Sequence, residues 1–166
     1  MKWFDKLFRK TPRNTHFAPS FDAYSPIYSQ HGTNIYASDV VQQALKCIVD
    51  EMKKLNPMHI RYNGNDPVPV KSTVQDVLNE PNPLMTTSEF LEKICWLLLM
   101  NYNCFIIPTY WTWVDDKTGA ERRYYEALYP INPVQVDFIE DASGRLFTEF
   151  RFRNGYTTTI PYDDVI

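Results

Sequence analysis

The chain has 166 residues, 44% of them hydrophobic, enough for one domain with a sizeable core. A formal charge of −3 and a pI near 5.6 give no support for a nucleic-acid-binding surface on charge alone, since phosphate neutralisation needs clustered Lys and Arg. Cys47, Cys95 and Cys104 lie in apolar runs and match no metal or redox spacing, so buried free thiols in a reducing compartment are expected. No N-terminal stretch has the apolar core of a signal peptide. The longest apolar run, Ile94 to Met100, is about a third of what a bilayer crossing needs. Synthesis in the cytosol, and no membrane partner, are the expectations. Twelve prolines and eleven tyrosines argue against an all-helical protein.

Met1 to Lys10 sets Trp3, Phe4, Leu7 and Phe8 on one helical face against Lys2, Lys6, Arg9 and Lys10. Ten residues are too few for a stable isolated helix. The segment is therefore either a fraying terminus or an anchor onto a partner subunit, a membrane surface or a nucleic acid. From Thr11 to Ala37 no period is sustained, and Phe17, Phe21, Tyr24, Ile27, Tyr28 and Tyr36 punctuate a polar, Pro-containing stretch. Such a segment reads as an extended arm laid over a surface, its own or a neighbour's.

Asp39 to Leu55 is the clearest helix. Asp39 and Gln42 have the spacing of a capping box, and Val41, Leu45, Ile48, Met52 and Leu55 form the expected buried stripe, widened by Val40, Ala44 and Cys47. Asn56-Pro57 ends it. Met58 to Tyr62 is a short strand, Asn63 to Pro67 a turn, and Val68 to Val70 a second extended piece. Thr73 to Asn79 reads as a short helix with Val74, Val77 and Leu78 inward, stopped by Pro81 and Pro83.

The stretch from Leu78 to Tyr110 is the expected centre of the domain. Thr86 with Glu89, or Thr87 one position on, caps a helix that reaches Asn101. Phe90, Leu91, Ile94, Cys95, Trp96, Leu97, Leu98 and Met100 cover nearly its whole circumference, so it needs cover on nearly all sides. After Asn101-Tyr102-Asn103 comes a strand, Cys104 to Trp111, in which Pro108 favours an edge or a bulge. Asp115 to Gly119 turns the chain between strands at Trp111–Val114 and Arg122–Leu128. Tyr129 to Pro133 reads as a rigid connector. Strands follow at Val134–Ile139, Leu146–Arg153 and Tyr156–Ile160, with turns at Glu140–Gly144 and Asn154-Gly155. Two main helices packed with an antiparallel meander over 103–160 make the fold class α+β.

No constellation spells out catalysis. His16, His31 and His59 fit no ligand pattern, the serines lack a nucleophile elbow, and the five glycines form no phosphate cradle. Asp115, Asp116, Glu140, Asp141, Asp163 and Asp164 sit at turns, where carboxylates cap and solvate; paired carboxylates could in principle hold a metal or run acid/base chemistry. Arg122, Arg123, Arg145, Arg151 and Arg153, with Tyr124 and Tyr125, are the most concentrated cations. A Tyr/Arg-rich sheet can bind single strands, but Glu121, Glu126 and Glu149 interrupt this one.

Four motifs in order carry a resemblance. The chain opens MKWFDKLF. Ala44, Cys47 and Ile48 give Ala-x-x-Cys-Ile within a helix. Leu78-Asn79-Glu80-Pro81-Asn82-Pro83 is followed by Met85-Thr86 and Glu89-Phe90. Leu128-Tyr129-Pro130-Ile131-Asn132-Pro133 precedes Val136, and the sequence closes Ile160-Pro161-Tyr162-Asp163-Asp164-Val165-Ile166. Over about residues 37–166 the chain resembles the N-terminal part of tailed-bacteriophage portal proteins of the HK97 type. Where many relatives have Gly-Asn-Ala before the central strand, this chain has Asn101-Tyr102-Asn103-Cys104.

The resemblance implies a non-enzymatic, structural subunit without cofactors. Residues 38–166 would be a wing-like α+β domain and 1–37 an amphipathic segment and extended arm, with stem, clip and crown beyond this sequence. It implies a homo-oligomeric ring, of twelve subunits, at one capsid vertex of the virion, assembled in the host cytoplasm. Double-stranded DNA would pass through without sequence-specific binding; the major capsid protein, terminase and a head–tail connector or adaptor would be partners. Candidate subunit or partner contacts are Trp3, Phe4, Leu7, Phe8, Phe17, Phe21, Tyr24, Trp96, Arg122, Arg151 and Arg153. The alternatives are a nucleic-acid-binding module using the Tyr/Arg face, another multimeric head or tail protein, and an enzyme fragment using loop carboxylates.

Overall fold

In the computed structural model the described residues are 18–19 and 38–166. The arm expected over 1–37 lies outside them, except for the backbone of Ala18–Pro19. In chain order the elements are β1 (Ala18–Pro19), α1 (Asp39–Met52), β2 (Ile60–Asn63), β3 (Asp66–Pro69), α2 (Thr73–Asn79), α3 (Thr87–Asn101), β4 (Phe105–Val114), β5 (Glu121–Ile131), β6 (Gln135–Glu140), β7 (Leu146–Arg151) and β8 (Thr157–Pro161), then a 3-10 turn, Tyr162–Asp164. All strand pairings are antiparallel, and the class is α+β.

The helices start and stop for local reasons. Asp39 is already helical, so the expected Asp39–Gln42 box does not form; Gln42 N–H bonds to the Ser38 carbonyl at 3.0 Å, and the Ser38 side chain caps nothing. At the other end the turn tightens. Lys54 and Leu55 donate three residues back, to Glu51 and Met52, which turns Leu55 out to solvent. The row of α1 that packs on α3 is Val41, Leu45, Val49 and Met52. Ile48 and Cys47, expected inside, are exposed, because a buried residue at Val49 shifts the stripe by one position. Val74 of α2 is likewise exposed, whereas Val77 is buried.

At the start of α3 the expected capping box is complete. Thr86 Oγ1 accepts Glu89 N–H, and Glu89 Oε2 accepts Thr86 N–H at 2.8 Å. Phe90, Cys95 and Leu97 are buried, but Leu98 and Met100 face outward, so the described chain does not cover the whole helix. Tyr102 ends α3 in the left-handed region, φ 59°, donating its N–H to the Leu98 carbonyl at 2.9 Å. Helices commonly place glycine here, since a side chain is strained at positive φ.

The meander over 103–160 is two sheets, not one. β4 and β5 form a two-stranded ribbon; β6, β7 and β8, with β1 at the edge, form the other sheet. Asn132, Pro133 and Val134 break the ladder between them, and Tyr129–Ile131, expected as connector, extends β5. The bulge expected near Pro108 falls between Thr109 and Tyr110. Pro108 stands opposite Leu128 and Pro130 opposite Ile106. The backbone groups of Ile106 and Leu128 bond outward, to Ile166 and to Pro81–Asn82, so these pairs are not hydrogen-bonded across the ribbon. Both prolines therefore sit where no ladder donor is needed.

The ribbon and the sheet close on each other. Ile107 packs with Val136, Phe150 and Ile160, and Phe105, Ile131, Phe138, Phe152 and Val165 surround this cluster. Phe150, 0% exposed, lies edge-on to Phe105 at 5.4 Å. Turns at Gly144 and Gly155 set the hairpins, each glycine at positive φ donating to a carbonyl three residues back, Asp141 and Phe152.

The loop Pro81–Met85 joins helices to ribbon. Leu128 N–H donates to the Pro81 carbonyl at 2.7 Å, and Asn82 Nδ2 donates to the Leu128 carbonyl at 2.8 Å. Asn82 Oδ1 accepts Leu84 N–H at 2.9 Å, and the residue is 3% exposed. Thr87 Oγ1 bonds the last carbonyls of α2, Leu78 and Asn79, while Ser88 Oγ donates to the Lys53 carbonyl beyond α1. One short segment thus fixes three helices and β5.

Two substitutions test these joints by urea unfolding. Tyr102→Gly relieves the strained cap and raises stability by about 1 kcal/mol. Asn82→Ala, at a residue 3% exposed, removes the bonds to the Leu128 carbonyl and the Leu84 N–H and lowers stability by about 1–3 kcal/mol.

Candidate contact surfaces

The five arginines expected to cluster are divided between the two sheets. Arg122 and Arg123 lie on β5, next to each other and so on opposite faces of the ribbon; Arg145, Arg151 and Arg153 belong to the β6–β8 sheet and its turns. Most already have local work. Arg123 Nη1 meets Asp164 Oδ1 at 3.0 Å, and its guanidinium lies 4.7 Å from the Tyr110 ring centre. Tyr110 Oη donates to the same carboxylate, so the ribbon is tied to the 3-10 turn. Arg151 Nη2 meets Glu149 at 3.0 Å and Asp137 at 3.7 Å, and Arg145 covers the Phe147 ring. Exposed pairs of this kind hold side chains in place more than they stabilise the fold. Two separated sets of partly neutralised arginines do not make a continuous phosphate-binding stripe.

The outer end of the ribbon carries an aromatic face that no sequence motif marks. Trp111 stacks on Tyr124 across the strands, ring centres 4.3 Å apart at 9°, and Trp113 stands opposite Arg122. Trp111 and Trp113 are both exposed. Their spacing of two along a strand was the available signal. Trp, Tyr and Arg are the residues enriched where protein interfaces are tightest.

Trp96, expected to be covered, is half-buried in the groove between α1 and α3. There it lines a cavity of about 370 Å³ with Gln42, Leu45, Lys46 and Met100. Leu97 beside it is buried. Arg153 is exposed in the turn before β8. Trp3, Phe4, Leu7, Phe8, Phe17, Phe21 and Tyr24 lie outside the described residues.

The loop carboxylates serve their own turns. Asp141 Oδ1 accepts Ser143 N–H at 2.8 Å, Ser143 Oγ at 2.6 Å and Arg145 N–H at 3.0 Å; the Ser143 hydroxyl and the Arg145 amide hold this carboxyl below the usual range. Asp115 accepts Lys117 and Thr118 N–H and is lowered, first by the Lys117 amide. Among the described residues no three His, Cys, Asp or Glu side chains are grouped to hold a metal. Burial raises the Cys95 thiol and pushes Cys104 up to about 11, away from the thiolate form that a nucleophile needs. His59 is structural: its N–H bonds Gln75 Oε1 and its Nδ1 pairs with Ser72 Oγ, both at 2.6 Å. His16 and His31 lie outside the described residues. No helix among the described residues is long and apolar enough to cross a membrane.

The surfaces that remain among the described residues are apolar and aromatic, on a frame held by loop motifs. The clasp Pro81-Asn82 and the strand Leu128–Ile131 contain two of the motifs noted above. The family model for phage portal protein matches residues 39–166. No curated protein matches the chain. With 39–166 of its 166 residues matched, the chain belongs to the phage portal protein family, whose role is structural.

Proposed function

We propose that this chain is the N-terminal part of a portal subunit of the HK97 type, with residues 38–166 as the wing and 1–37 as an arm that reaches a neighbour. In the assembled virion the subunits form a ring, of twelve copies, at one capsid vertex. Double-stranded DNA enters during packaging and leaves during ejection through the central opening. The outer wing faces the major capsid protein, and the ring docks the terminase and later the head–tail connector. Energy for packaging comes from the terminase, so the subunit itself works by shape and by contacts.

The observation that carries this proposal is the family match over 39–166. Two physical features support it. A formal charge of −3 suits a conduit that must let a polyanion slide without gripping it. Exposed apolar side chains on α1, on the β2–β3 ribbon and at Trp111–Trp113 are what a subunit of a larger assembly presents.

Electron microscopy of the purified full-length subunit, with light scattering of the same sample, tests the ring. Closed rings, with twelve-fold averages, are the expected result. A monodisperse monomer at micromolar concentration and above overturns the proposal.

A further inference from the structure

Where α2 packs on β5 there is a groove of about 370 Å³. Val77, Pro83 and Tyr125 give it apolar walls, and Asp76, Glu80 and Glu126 line it as well. All three acids are exposed, and no base lines the groove. Among the described residues none of the three carboxylates meets a hydrogen-bond or ion-pair partner. Their charge is therefore open to whatever enters from outside.

The helix adds to the demand for a cation. Asp76, Val77 and Glu80 share one side of α2. Glu80 directly follows its last residue, at the negative end of the helix, where a base is favoured, and the last turn holds none. The acids do not make a metal site, since among the described residues no three such side chains are grouped to hold an ion. The groove favours an elongated occupant that brings several separated cations and apolar side chains together. The groove between α1 and α3 has the same volume but a different character, because Asp39 and Lys46 offset each other there.

We propose that the α2–β5 groove is the seat of the segment Met1–Lys10. That segment carries Lys2, Lys6, Arg9 and Lys10 against Asp5 alone, interleaved with Trp3, Phe4, Leu7 and Phe8. Its cations meet the open carboxylates of Asp76, Glu80 and Glu126, and one of its large apolar side chains enters between Val77, Pro83 and Tyr125. Nucleic acid and anionic lipid surfaces suit this groove poorly, since its carboxylates repel both. The proposal rests on the reading of 1–37 as an arm and adds the place that holds it; it does not require the ring.

A carbodiimide, which joins a lysine to a carboxylate only where the two touch, tests this on the full-length subunit at low salt. Mass spectrometry of the peptides is expected to find Lys2, Lys6 or Lys10 joined to Asp76, Glu80 or Glu126, and about 0.5 M salt to reduce these links at least about fivefold. Finding no such links, finding these lysines joined only to other carboxylates, or finding links that salt leaves unchanged overturns the seat. Rings that form without the links overturn the seat and leave the ring standing. A gel of the linked sample shows which copy supplies the segment. A ladder of covalent oligomers supports both the seat and the arm's reach to a neighbour; a linked monomer supports the seat and overturns that reach. A second variant, Glu80→Gln with Glu126→Gln, changes only exposed side chains and should keep its circular dichroism. Trypsin should cut it after Lys6 and Arg9 at least about fivefold faster than the wild type. Unchanged cutting in that folded variant overturns the proposal.

Discussion

Both backbone polar groups of Leu128 point away from the strand that β5 pairs with, and both are met by two consecutive residues, Pro81 and Asn82. Without that clasp the outer edge of β5 would bury an unpaired donor and acceptor next to the helices. With it, the segment that separates α2 from α3 becomes a rigid joint, because its two prolines fix the backbone and its asparagine bonds at both ends of the side chain. The helical layer is then placed on the ribbon by hydrogen bonds of defined direction, not by apolar contact alone. Thr87 and Ser88 extend the same joint to the ends of α2 and α1.

Signals in the sequence are legible where their cause is local. The Thr86–Glu89 box, the limits of Thr73–Asn79 and the turns around Gly119, Gly144 and Gly155 all follow from a few neighbouring residues. What could not be read depended on distant partners. Whether Ile48 or Val49 is buried is decided by where α3 lies, since the helix has apolar residues on both sides. The meander divides at Asn132–Val134, a choice that Ile107, Val136 and Phe150 make by packing ribbon against sheet. Five arginines close in sequence were easily grouped, but strand alternation and two sheets separate them. Asn82 looked like part of a turn; its bond to Leu128, forty-six residues on, belongs to the tertiary fold.

The portal assignment shifts attention from sites to surfaces. Asp115 and Asp141 are occupied with their own turns, Asp164 with Arg123 and Tyr110 of the ribbon, and burial raises the thiols in and beside α3. What is left over is apolar: one side of α1, one face of a short ribbon, and a tryptophan pair on a long one. These features cost solubility in a free monomer and become useful when several copies meet.

The prolines at 108 and 130 have one more effect. Each removes a donor from an outer margin of the ribbon, on β4 and on β5 respectively, and the intervening groups on those margins are taken by Ile166 and by the clasp. A bare two-stranded ribbon with aromatic side chains would be a template for uncontrolled strand addition. At the base of this ribbon, from Ile106 to Pro108 and from Leu128 to Pro130, the outer margins offer no free donor, which disfavours strand addition there.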